Sequence, residues 1–264
     1  MTIAVAATAP FGADVLERLA AKHEVAFLLT RPDRQRGRGR KVSAPPAKEA
    51  ALRLGIPVLQ PERLDETFSL ESADTVVVVA YGMLVPASLL DRANWLNVHP
   101  SRLPRWRGAA PIERAIMAGD EESAVSVIRL VEELDAGPIG ASHDLSVGGD
   151  TTAGEVYAEV ARVAPGLIDE ALANESFSPQ VGEPTYAEKI GPTDRELDWS
   201  RPAKELHDRI RALSPHIGAR GVIEGRNVLV WRSRLDGDRL ELLEVQPEGG
   251  NRMAYDAWRR GLRS

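Results

Sequence analysis

A chain of 264 residues, 43% of them hydrophobic, can build one large domain and a small one, which excludes extensive disorder. It has no cysteine, so disulfides, thiolate catalysis and cysteine-based zinc sites are ruled out. The net charge of -6 is segmental: residues 31–41 set Arg31, Arg34, Arg36, Arg38, Arg40 and Lys41 against Asp33 alone, and residues 201–264 carry 13 Lys/Arg and 9 Asp/Glu, leaving an acidic body.

Thr2 to Ala7 reads as a strand, Ala13 to Ala21 as a helix with Val15, Leu16 and Leu19 on one face, and Glu24 to Leu29 as a second strand, a β-α-β opening. Residues 31–46 form a polar loop containing Gly and Pro, Ala47 to Leu54 a helix, and Thr75 to Ala80 an unbroken apolar run typical of a strand buried on both faces. No run approaches the ~20 apolar residues needed to span a bilayer. Val76 to Pro86 is the longest candidate and is broken by Tyr81 and Gly82. The first nine residues carry no basic side chain, so neither a signal peptide nor a membrane span is expected, and the compartment expected is the cytoplasm. Pro86 to Arg92 is a short helix and Trp95 to His99 the next strand.

Further on, Pro111 to Ala118 is a helix begun by proline, and Ala124 to Leu130 and Gly140 to Val147 are strands flanking a turn at Leu134 to Pro138. Thr152 and Glu155 have the spacing of a capping box for a helix to about Val163, and Pro165 should restart a second helix to Asn174. The Pro-containing stretch from Phe177 to Ser200 reads as a linker. Leu206, Ile210 and Leu213 mark a helical face, followed by short strands at Gly221 to Glu224, Asn227 to Arg234 and Arg239 to Gln246. The organisation expected is thus a catalytic α/β domain over 1–178 with a mostly parallel, Rossmann-like sheet, a linker over 179–200, and a small β-rich domain over 201–264, monomeric as a whole.

The strand at Trp95 to His99 places Asn97 and His99 on the same face, because residues two apart in a strand point the same way. An amide that can donate to a developing oxyanion beside an imidazole that moves a proton near neutral pH suits carbonyl chemistry, and a carboxylate such as Asp135 can hold the imidazole. The strand's carboxyl end is where open α/β sheets place ligands.

Asn97-Val98-His99-Pro100-Ser101-Arg102-Leu103-Pro104, with Asp135 some three dozen residues on, resembles the signature of the folate-dependent formyltransferases. Thr30 to Lys41, Val79 to Gly82, Arg105 to Ile112, Gly119-Asp120 and Thr185 to Ile190 follow the same family in order. Arg102 stands where the family usually has Leu, and the first turn, Ala6 to Phe11, lacks the usual Gly.

The resemblance implies formyl transfer from 10-formyltetrahydrofolate to an amine, with Asn97, His99 and Asp135 catalytic and no metal. It also implies that Ser101, Arg102, Leu103 and Pro104 shape the folate site, with Ala80, Tyr81 and Gly82 receiving the pterin. Arg36, Arg38, Arg40 and Lys41 would grip phosphates of the acceptor, methionylated initiator tRNA, with Arg38 foremost. The resembled family carries a longer C-terminal barrel, so the one here is abbreviated. Three alternatives stay open: an amino-sugar nucleotide as acceptor, hydrolysis of the donor, and a non-catalytic folate- or RNA-binding protein. His23, His143, His207 and His216 lack metal-ligand spacing and are expected in surface or packing roles. Trp199, Trp231 and Trp258 are expected to anchor the small domain's core.

Overall fold

The computed structural model describes residues 2–36, 41–70, 73–174 and 176–262. In chain order the first half comprises β1 (Thr2–Ala7), α1 (Pro10–Ala20), β2 (Glu24–Leu29), β3 (Arg34–Arg36), β4 (Lys41–Ser43), α2 (Pro46–Arg53), β5 (Val58–Leu59), β6 (Thr75–Val79), α3 (Ala87–Leu90) and β7 (Asn94–His99). The second half comprises β8 (Arg107–Gly108), α4 (Pro111–Met117), β9 (Glu122–Arg129), β10 (Ile139–Ser146), α5 (Ala153–Ala173), β11 (Tyr186–Ala187), a 3-10 turn at Thr193–Arg195, α6 (Ala203–Ala212), β12 (Ala219–Ile223), β13 (Arg226–Asp236), β14 (Arg239–Pro247), β15 (Met253–Ala254) and α7 (Tyr255–Leu262).

The main sheet has seven strands in the order β10-β9-β7-β6-β1-β2-β5. β1, β2, β5, β6 and β7 run parallel to their neighbours among these, and β7 pairs antiparallel with β9. A parallel sheet covered on both faces needs continuous apolar strands, and β6, Thr-Val-Val-Val-Val, is buried at every position. On one face Ala4, Ala6, Phe27, Leu29, Val76, Val78, Tyr81 and Trp95 form a single buried cluster.

The first turn solves its lack of the usual glycine with Gly12, inside α1. A Cβ there would lie 2.6 Å from the Val79 carbonyl oxygen and 2.8 Å from the Ala7 Cβ, so only glycine lets the helix start come this close to β1 and β6.

Several expectations need correction. Residues 31–46 are not wholly loop, because β3 and β4 pair as an antiparallel ladder with Arg34 opposite Ser43, Gln35 opposite Val42 and Arg36 opposite Lys41. The restart at Pro165 does not occur; α5 runs unbroken through that proline. Proline removes one backbone donor and costs about 3 kcal/mol in a helix interior. The buried stripe of Val156, Val160, Ala161, Ala164, Leu167, Ile168 and Ala171 outweighs that loss. The capping box forms as expected, with Glu155 N–H donating to Thr152 Oγ1 and Thr152 N–H to Glu155 Oε2. Finally, the stretch read as a linker contains β11 and the 3-10 turn, and α7 follows the last expected strand.

Packing divides the chain into two compact units. The first comprises 1–107, 124–143 and 158–184; the second comprises 108–123, 144–157 and 185–264, so it gathers segments from the middle of the chain as well as its C-terminal part. In the second unit β12, β13, β14 and β15 make an antiparallel sheet. Its core joins Leu206, Ile210 and Leu213 of the α6 region to Val228, Val230, Val245 and Trp258. Trp231 and Trp258 are buried as expected, whereas Trp199 is 40% exposed, its indole N–H donating to the Val222 carbonyl. Gly221 lies under that indole, so the ring lies over the sheet surface and not within the core.

Also in the second unit, Arg114 of α4 donates from both terminal nitrogens to the Asp194 carboxylate, each at 2.8 Å, and the Gly191 N–H donates to the same group. The Arg114 bonds hold the Asp194 carboxyl below its ordinary range against the opposing effect of burial. A group with a lowered folded pKa stabilises fully above its unfolded pKa, here the ordinary 3.8, and that contribution is lost as pH falls through the folded value. Replacing Asp194 by Asn is therefore expected to flatten the acid limb of unfolding free energy by about 1 kcal/mol below pH 4. Denaturant melts at stepped pH would show it; an unaltered limb would mean the pair contributes nothing. Glu113 acts in the opposite sense, since burial raises its pKa despite a hydrogen bond from the Tyr157 hydroxyl. Stability lost to its ionisation is regained as pH falls through its folded value.

Candidate active site

β7 is flanked by a parallel neighbour and an antiparallel one: Asn97 sits opposite Val78 of β6 and Ile128 of β9, and His99 opposite Ser126. Trp95, Leu96 and Val98 are buried and fix the strand, so Asn97 and His99 emerge together at its carboxyl end. Asp135 comes from the loop joining β9 to β10 and is buried, with a left-handed backbone at φ 49°. Asn and Asp are the non-glycine residues that tolerate this region best.

The structure brings the three together. The Asn97 amide donates to Asp135 Oδ1 at 3.1 Å, and the other carboxylate oxygen stands 3.6 Å from His99 Nδ1. On the far side of the ring, His99 Nε2 lies 2.8 Å from the Trp106 carbonyl oxygen. A carbonyl only accepts, so Nε2 carries the hydrogen and Nδ1 is the nitrogen facing the carboxylate. Trp106 itself is in a left-handed conformation, φ 64°, which turns its carbonyl toward the ring. The arrangement is thus an imidazole of fixed tautomer, with one nitrogen anchored to main chain and the other beside an acid that an amide also touches. Such a group can exchange a proton between Nδ1 and the carboxylate while the amide offers its second N–H to an oxygen.

The loop after β7 is largely sequestered. Ser101, Leu103 and Pro104 are buried, while Arg102 is exposed. The Ser101 carbonyl accepts from the Ser126 hydroxyl at 2.9 Å, and the fully buried Ser101 hydroxyl has no hydrogen-bond partner among the described residues. At the end of β6, Ala80 and Gly82 have positive φ and are exposed. Between them the Tyr81 ring is 1% exposed within the core cluster, and its carbonyl accepts from the Thr8 hydroxyl. Any pterin contact here therefore falls to the backbone of Ala80 and Gly82, and the Tyr81 side chain serves packing. Burial pushes the Tyr81 phenol well above its ordinary range.

Of the basic loop, Arg38 and Arg40 lie outside the described residues, as do the side chains of Arg36 and Lys41. The other histidines behave as expected. His23 pairs with Asp169 at 2.7 Å, and the buried His207 lies 2.9 Å from the Ser233 hydroxyl and 2.8 Å from the Gly149 carbonyl oxygen. Among the described residues no group of three or more His, Cys, Asp or Glu could hold a metal ion, and no helix is long and apolar enough to cross a membrane.

Sequence reasoning missed Gln180, which touches the Asp135 loop directly. It lay in the stretch read as a linker, and a lone amide there carries no periodic or charge signal.

Residues 1–172 match the family model "Formyl transferase" and residues 189–240 match "Formyl transferase, C-terminal domain". The chain is 41% identical over 291 aligned positions to methionyl-tRNA formyltransferase of Paracoccus denitrificans, covering 99% of this chain and 98% of that one. It is 36% identical over 308 positions to the same enzyme of Heliobacterium modesticaldum, covering 100% and 98%. Among solved structures, methionyl-tRNA formyltransferase from Clostridium thermocellum superposes with a TM-score of 0.67 at 16% identity, covering 94% of this chain and 98% of that one. The sugar 3N-formyl transferase WlaRD gives the same TM-score and identity over 90% and 87%, so fold likeness does not choose between acceptors. With the family model spanning well over half of its residues and relatives this similar along its whole length, the chain belongs to the formyl transferase family.

Proposed function

We propose that this protein transfers the formyl group of 10-formyltetrahydrofolate to the amino group of methionine carried on initiator tRNA, in the cytoplasm. The observation that carries this reading is the meeting of Asn97, His99 and Asp135 around one imidazole at the end of β7. The acceptor follows from the whole-length likeness to methionyl-tRNA formyltransferases, together with the six basic residues of 31–41.

Attack of the amine on the formyl carbon forms a C–N bond and places negative charge on the formyl oxygen. Collapse then breaks the bond to the donor nitrogen, which takes up a proton as the amine gives one up. Asn97 donates its second N–H to the oxygen. His99, its Nε2–H anchored on Trp106, works through Nδ1 together with Asp135 to relay the proton from the incoming nitrogen toward the departing one. The loop from Ser101 to Pro104 shapes the donor site, and the backbone at Ala80 and Gly82 offers an edge for its flat ring. Arg36, Arg38, Arg40 and Lys41 contact phosphates of the acceptor.

The decisive assay gives the protein the formyl donor with methionylated initiator tRNA, with an amino-sugar nucleotide, or with buffer alone, and follows the formyl group. Formylated methionyl-tRNA is expected; formylation of the sugar and not of the tRNA would overturn the acceptor. Arg38→Ala is expected to raise KM for the charged tRNA and to reduce the slope of log affinity against log salt by about one. Salt titration of binding checks this, and an unaltered slope would remove Arg38 from the phosphate contacts.

A further inference from the structure

We infer that Gln180, working with Arg107, is a positioning residue that holds both sides of the His99 imidazole in register for transfer. The inference rests on the reading of Asn97, His99 and Asp135 given above. The Gln180 side-chain amide donates one N–H to the carbonyl of Asp135 at 2.7 Å and the other to the carbonyl of Gly137 at 2.8 Å. Its oxygen accepts from Arg107 Nε at 3.1 Å and from Arg107 Nη2 at 2.8 Å. Arg107 Nη1 reaches Glu133, also in the loop, at 2.8 Å. No other orientation of the amide works, since a flip would turn its NH2 toward the guanidinium and its oxygen toward two carbonyls.

Two features make this a matter of catalytic geometry as well as stability. First, aspartate has a short side chain, so its carboxylate goes where its own main chain goes, and Gln180 bonds that residue's carbonyl and the one two positions on. Second, Arg107 directly follows Trp106, whose carbonyl anchors His99 Nε2. The Arg107–Gln180 pair thus connects the main chain that holds one ring nitrogen to the main chain that carries the acid facing the other. A buried guanidinium and a two-headed amide form a rigid strut between them. Gly137 completes the seat, because a Cβ there would collide with the Arg129 carbonyl oxygen.

The test is a double-mutant cycle on the full chain. Gln180→Met keeps length and packing but deletes all four hydrogen bonds; Asp135→Ala removes the group that is to be positioned. Misplacement of a catalytic group by about 1 Å costs on the order of 100-fold. Gln180→Met is accordingly expected to lower kcat by about 10- to 100-fold, with KM for either substrate within about threefold. In the Asp135→Ala background, followed under single-turnover conditions with excess enzyme, the same replacement should cost a clearly smaller factor than in the parent, because only the Trp106 side of the ring is left to be held. A role in folding alone would cost the same factor in both backgrounds, and that result, or an unchanged kcat in the single variant, overturns the proposal. Near-normal turnover by Asp135→Ala would instead overturn the reading of the three-residue site, and the strut with it. Should Gln180→Met not fold, Gln180→Glu carries the same cycle, since it keeps the Arg107 contacts while opposing two carbonyls with a carboxylate.

Discussion

Replacing His99 by alanine is expected to lower kcat for formyl transfer by about 100- to 10,000-fold, the range a positioned acid-base group supplies. His99 is 4% exposed, with Asp135 on one side of its ring and the Trp106 carbonyl on the other. Asn97→Ala should cost about 100- to 1,000-fold, the usual loss of one oxyanion donor, although part of the change reflects the freed Asp135 carboxylate. The two losses should not multiply, because each group orients the same acid. Rapid-quench measurement of formylated product, with circular dichroism to establish that the fold persists, checks this. A His99→Ala variant within tenfold of the parent rate would show that the imidazole does not take part in the slow step.

Arg211→Met is expected to produce the largest loss of stability, about 3 to 5 kcal/mol in the second unit. Arg211 Nε donates to Asp208 Oδ1 at 2.9 Å, and both side chains are nearly inaccessible. Its Nη1 reaches the carbonyls of Gly148 at 3.2 Å and Thr151 at 3.0 Å. Methionine would fill most of the volume yet leave Asp208 buried with Lys204 as its remaining cation, a residue whose side chain is itself 61% exposed. The expected drop in midpoint is about 13 to 22 °C for a unit of this size, read by calorimetry. Adding Asp208→Leu should restore much of it, since removing both charges avoids the cost of one left alone. A midpoint within 2 °C of the parent would mean water reaches the site and the pair is not buried in solution.

What the sequence disclosed followed how locally each feature is determined. β1, β2 and β7 are legible from composition and alternation, and the pairing of Asn97 with His99 follows from strand geometry alone. Asp135 is different, since nothing in the spacing says that a turn 36 residues beyond His99 folds back onto it; that came only from resemblance to a family. The run through Pro165 was misread because a local rule about proline met a longer-range gain from burial, and the gain won. β3 and β4 were hidden because Arg34-Gln35-Arg36 and Lys41-Val42-Ser43 are too short and polar to show alternation, so only the ladder reveals them. In α7 the signal was present but short: Tyr255, Trp258 and Leu262 recur at helical spacing and pack on the second unit's core. Gln180 could not have been found this way, because its importance lies in which carbonyls it meets.

The loop bearing Asp135 is gauged by main chain: carbonyls at 135 and 137 are gripped, the backbone at 135 is left-handed, and Gly137 is pressed against the Arg129 carbonyl. Neighbours such as Leu134 point outward and are not asked to hold anything. Over evolutionary time such a segment can change its surface chemistry freely, drifting in letters while its residue count stays frozen, because a single added or deleted position would swing the acid away from its partners.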